Sequence, residues 1–130
     1  MRWPVLPAAL LLLLMFAVPA WACLPGFEAA TTLTGNGQSL SFRSDPAPMP
    51  LGKPFALEIA ICPPPRGLAV DAHMPAHRHG MNYRPSIRDL GGGRYRAEGL
   101  MLHMPGAWEF VFDIEGGAGR ARLTSAYTVR

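Results

Sequence analysis

The chain is poor in most of what catalysis and nucleic-acid binding require. Only 16% of its 130 residues are charged. Its twelve basic residues, nearly all Arg, are scattered and form no run, which argues against a nucleic-acid or membrane-surface partner. No Ser/His/Asp set, no phosphate-cradling loop and no pair of carboxylates at a recognisable spacing is present, so no enzyme is expected. Internal repeats and long helical periods are also missing, which excludes solenoids and helix bundles. Cysteine is scarce, with two residues, Cys23 and Cys62.

Gly and Pro, by contrast, are abundant at 14 each. The N-terminus carries one charge, Arg2, then an apolar run through Leu10–Leu14 to Val18, ending in Pro19-Ala20-Trp21-Ala22. A basic start, an apolar middle and an Ala-x-Ala end read as a secretory signal peptide, with cleavage expected after Ala22 and residues 23–130 as the mature domain. An uncleaved anchor is the competing reading, since Trp3–Ala22 is about long enough to span a bilayer. A lipid on Cys23 is a third, although Trp21 and Ala20 fit the lipobox poorly. Export places the domain in the periplasm, an oxidising compartment, where Cys23 and Cys62 are expected to pair. Such a bridge would close a loop of about 39 residues and contribute about 3–4 kcal/mol in the chain-entropy model. Thiolate metal ligation is the alternative use of the two sulfurs.

The mature region alternates with a period of two. Phe55, Leu57, Ile59 and Ile61 form one face of a strand over 55–62, stopped by Pro63-Pro64-Pro65. Trp108, Phe110, Phe112 and Ile114 do the same over 107–115, and Gly116–Gly119 turns the chain into 120–129. Further strands are expected over 31–34, 39–42, 68–74, 87–90 and 94–104. Short strands at short spacing without helices predict an all-β, antiparallel β-sandwich of about seven strands; a small closed barrel is the competing architecture.

The chemistry concentrates in two stretches, Asp71–Tyr83 and Met101–Gly106. All four histidines lie there, with Met74, Met81, Met101 and Met104. Residues 73–81 alone hold five of the nine His and Met residues of the mature region. Imidazole suits copper and zinc, and thioether sulfur selects soft Cu(I). A His/Met set is therefore a sensible copper site outside the cytoplasm, where thiolates oxidise. On an extended segment His77 and His79 would face one way with Arg78 opposite, and Met101 with His103 would face away from Leu100 and Leu102. The expected metal ligands are His77, His79, His103, Met81 and Met101, with His73 and Met74 in reserve. Met74 and Met104, each beside a proline, also read as core filler. Zinc is disfavoured because methionine is a poor ligand for it.

The stretches His73-Met74-Pro75-Ala76-His77, Gly93-Arg94-Tyr95 and Met104-Pro105-Gly106-Ala107-Trp108 resemble the YtkA-like domain family, with a layout similar to FixH-like proteins. The resemblance covers about Phe55 to Arg130. It implies an exported immunoglobulin-like sandwich linked to copper handling, with a membrane-protein or respiratory-oxidase-assembly partner. The denser His77–Met81 run and the cysteine pair exceed the family pattern. If Cys23 is the first mature residue, copper monooxygenases that use an N-terminal histidine are excluded. The second functional reading is a module that binds no metal and docks by its sandwich surface on a membrane complex.

Overall fold

A computed structural model of the chain describes Met1, residues 27–28 and residues 30–130. The expected signal peptide and Cys23 lie outside these described residues. Cys62 is not a free thiol.

Nine strands and no helix make up the described residues: β1 (Thr31–Gly35), β2 (Gln38–Asp45), β3 (Phe55–Cys62), β4 (Gly67–Met74), β5 (His79–Gly80), β6 (Ser86–Gly91), β7 (Arg94–Leu100), β8 (Gly106–Gly116) and β9 (Gly119–Val129). They pair antiparallel into two sheets, one ordered β1-β2-β3-β7-β6 and the other β5-β4-β8-β9. The expected β-sandwich is the architecture found, with nine strands rather than about seven; β5 has two residues only.

The two alternating strands supply the facing walls. Phe55, Leu57, Ile59 and Ile61 of β3 and Trp108, Phe110, Phe112 and Ile114 of β8 are all at most 4% exposed. Aromatic contacts tie the sheets together: Phe42 of β2 meets Phe112 at 4.9 Å and Phe110 at 6.2 Å, and Phe55 stands edge-on to Phe110. Each such buried side chain contributes about 1.5–3 kcal/mol through the apolar area it removes from water.

The sequence pattern over 94–104 predicts one strand, but β7 stops at Leu100. Its partner β3 begins at Phe55, opposite Leu100, and a β-bulge lies just before that end. Phe55 pairs with Leu100 and Ala56 with Glu98, so Gly99 is the extra residue, and its φ is +83°. A side chain is strained in that left-handed region, which glycine enters freely. The bulge turns residues 101–105 out of the five-stranded sheet and across to β8. On the way Leu102 forms an isolated parallel bridge with Leu51, and Gly52 N–H donates to the Leu102 carbonyl at 2.9 Å.

Residues 75–78 depart from the extended form considered above. Met74 pairs with His79, so Pro75–Arg78 is a four-residue hairpin loop between β4 and β5. His77 N–H closes it on the Met74 carbonyl at 3.2 Å, and Arg78 turns the corner at φ +51°.

Candidate metal site

The β4–β5 hairpin and the 101–105 crossover meet at one end of the sandwich, and the histidines of both arrive there together. The His77 and His79 ring centres are 5.9 Å apart, with planes 30° apart. Those of His79 and His103 are 5.3 Å apart at 31°. The three imidazoles thus form a short row running from the exposed His77 inward to His103.

Trp108 is the wall behind this row. It is 1% exposed and stands edge-on to both inner rings, 5.9 Å from His79 and 5.5 Å from His103. Its indole Nε1–H donates to the Met104 carbonyl at 2.9 Å, which ties the crossover to β8. The approach of the crossover is close. A Cβ placed on Gly106, whose φ is +123°, would stand 2.9 Å from the Met74 methyl, so only glycine fits there.

The ring nitrogens differ in their surroundings. His79 Nδ1 lies 3.2 Å from the Gly80 carbonyl. In the tautomer that donates to that oxygen, the lone pair of His79 is on Nε2. His103 Nδ1 is fully buried and has no hydrogen-bond partner. Leaving a buried polar atom unpaired costs about 1–3 kcal/mol, so an orphaned nitrogen calls for an explanation.

The other expected ligands are divided by the fold. His79 pairs across with the inward Met74, and Met81, two residues on, packs partly buried against the core. Met101 is half-buried on the crossover, two residues from His103. Met74 is 1% exposed and packs in the core beneath Gly106. His73 is separated from the row. It neighbours Met74 on β4, and successive side chains of a strand face opposite ways, so it projects from the outer face. There its Nε2 lies 3.6 Å from Glu109 Oε1. Met104 packs partly buried against the core. The sequence reading placed Trp108 in the core but missed its second role as the backing of the histidine row. Leu51 and Gly52 pair with Leu102, next to His103 in the chain, a contact with no sequence signal; Trp108 had one in its place four residues after Met104.

No protein-family model matches the chain. No curated protein matches it either. Among solved structures it is similar to a DUF4426 family protein from Pseudomonas aeruginosa PAO1, with a TM-score of 0.58 and 8% identity over 79% of this chain and 96% of that one. At that identity the likeness shows the sandwich fold alone.

Among the described residues, no three His, Cys, Asp or Glu side chains are already arranged to hold a metal ion. The rings of adjacent histidines lie about 30° from parallel. The spacing within each adjacent pair can be compared with that of two ligands on one ion. A metal–nitrogen bond is about 2 Å, and with the ring centre about 1 Å further on, two imidazoles on one tetrahedral ion stand about 5 Å apart centre to centre. The observed 5.3 and 5.9 Å are close to that value.

Proposed function

We propose that residues 23–130 form an exported, periplasmic copper-binding domain that carries or delivers Cu(I) through a His/Met site. His79 and His103 are its central nitrogen ligands, His77 joins from the hairpin loop, and Met81 and Met101 are the thioethers. The observation that supports this reading is the meeting of His79 and His103, from separate segments, with an unpaired buried nitrogen on His103. A bound cation would relieve that nitrogen. Met81 and Met101, each two residues along the chain from His79 and His103, favour the soft cuprous ion over zinc. The resemblance to YtkA-like domains agrees with it, as does the apolar leader-like segment at 1–22.

The test is a titration of the purified mature domain with Cu(I), Cu(II) and Zn(II), repeated on His79→Ala/His103→Ala. One tight Cu(I) equivalent in the parent and none in the variant is expected. Unchanged Cu(I) stoichiometry in the variant removes the site assignment. The absence of a ready-made ligand group among the described residues favours one second reading, a docking module without metal; a parent domain that takes up no copper would establish it over the first.

A further inference from the structure

The cations of the described residues differ in their partners. On the sheet faces they are paired: Arg43 with Glu58, Arg88 with Glu98, Arg96 with Asp45 and Glu98, Arg120 with Glu115 and Arg122 with Asp113. Of the others, Arg66 donates to the Gly116 carbonyl at the far end and Arg94 lies over the Phe27 ring, while Lys53, Arg78, Arg84 and Arg130 are exposed with no ion pair among the described residues.

Lys53, Arg78 and Arg84 lie on the segments that build the histidine end. Lys53 follows Gly52, which is bonded to Leu102 beside His103. Arg78 stands between His77 and His79, at the corner of the hairpin loop. Arg84 precedes β6, whose Ser86 pairs with Glu98 near the β7 terminus that launches the crossover. The segments 49–54, 74–85 and 101–107, which build this end, contain no Asp or Glu. Two large apolar side chains are exposed in the same segments, Leu51 at 40% and Tyr83 at 49%.

Unpaired positive charge beside a cation site weakens the binding of that cation, so these residues do not serve the metal. A basic rim with an apolar patch is instead the complement of an acidic protein surface. We infer that the histidine end is a docking face for a protein partner with an acidic rim, which exchanges Cu(I) with the His/Met site. The purpose of the contact rests on the copper reading; the contact itself does not. A lipid surface is the weaker fit, because three cations carry no amphipathic helix with them and membrane anchoring needs more.

The probe is a pair of synthetic peptides with the same Met-x-x-Met core, one flanked by Asp and Glu and the other by Asn and Gln. Anisotropy of the labelled peptides on the metal-free domain reads docking. Stopped-flow transfer from the Cu(I)-loaded peptides reads exchange. The variant Lys53→Ser/Arg78→Asn/Arg84→Ser changes exposed positions only, and Asn tolerates the left-handed backbone at 78. At low salt the acidic peptide should associate about tenfold faster than the neutral one, an advantage lost in the variant and near 1 M salt. Equal rates for the two peptides, or an acidic preference that survives in the variant, overturn the inference. So does cation-dependent binding to phosphatidylglycerol vesicles without preference between peptides, which would assign the face to a membrane. A domain that takes up no copper but still prefers the acidic peptide in the anisotropy assay sinks the copper reading and leaves the docking face standing.

Discussion

Replacing His103 by phenylalanine should make the metal-free protein more stable while it removes a ligand of the proposed metal site. The native ring contributes an edge-on contact with Trp108 at 5.5 Å and a tilted contact with His79 at 5.3 Å. Phenylalanine preserves both kinds of contact, each worth about 0.5–1.5 kcal/mol. It removes the buried Nδ1 that has no partner. An unpaired buried polar atom costs about 1–3 kcal/mol, and a slightly larger ring in a half-exposed position returns part of that as strain. The net expectation is a gain of about 1 kcal/mol, which in a domain of this size raises Tm by about 4 °C. Copper should reverse the order. A ligand present at a hundredfold excess over its Kd stabilises the parent by about 2.7 kcal/mol and leaves a variant that cannot bind it unchanged. Scanning calorimetry of both proteins, with and without Cu(I), reads the two effects separately. A His103→Phe protein that melts several degrees below the metal-free parent would show that Nδ1 is satisfied in solution. An equal Cu(I)-induced shift in both proteins would show that His103 is not a ligand.

Three further tests probe the frame that holds the site. Gly106→Ala puts a methyl 2.9 Å from the Met74 side chain at φ +123°, and should cost about 1–3 kcal/mol in urea unfolding; a loss under 0.5 kcal/mol would mean that the crossover relaxes freely. Gly99→Val strains the bulge at φ +83°, and should lower both Tm and Cu(I) affinity because the crossover loses its exit angle; a Tm loss with unchanged affinity would separate the bulge from the site. Asp113 has its pKa lowered by the hydrogen bond from Arg122, helped by the charges of Arg122 and Arg120. A lowered folded pKa gives stability that is present above the ordinary carboxylate range and is lost as pH falls through the lowered value. Arg122→Gln should therefore flatten the acid limb of a Tm–pH profile and leave Tm less changed at the acid end than at neutrality.

Much of the frame was legible in the residues. Period-two alternation over 55–62 and 107–115 marked the facing walls because burial on one face is what keeps a strand in register. The spacing of His and Met marked the end of the molecule where the imidazoles meet. Other features depend on contacts that alternation does not encode. Gly99 looks like an ordinary strand glycine until its partner strand shows one residue too few. The proximity of His77 and His79 comes from a tight loop, not from the extended spacing that suggested it. The separation of His73 could have been read directly, since it neighbours Met74 and only one of the two can face inward. The pairing of Leu51 and Gly52 with Leu102 could not, because nothing local links positions fifty residues apart.

The crossover between the sheets has a consequence for timing. In the unfolded chain His77 and His79 are close neighbours, but His103 is a remote stranger. Only when β8 has closed against its partners and Trp108 has gripped Met104 does the third ring take its place in the row. A nascent or half-assembled chain can offer at most a weak, two-imidazole grip. Occupancy of the complete row is thereby a readout of sheet closure, and whatever fills it arrives after the fold is finished.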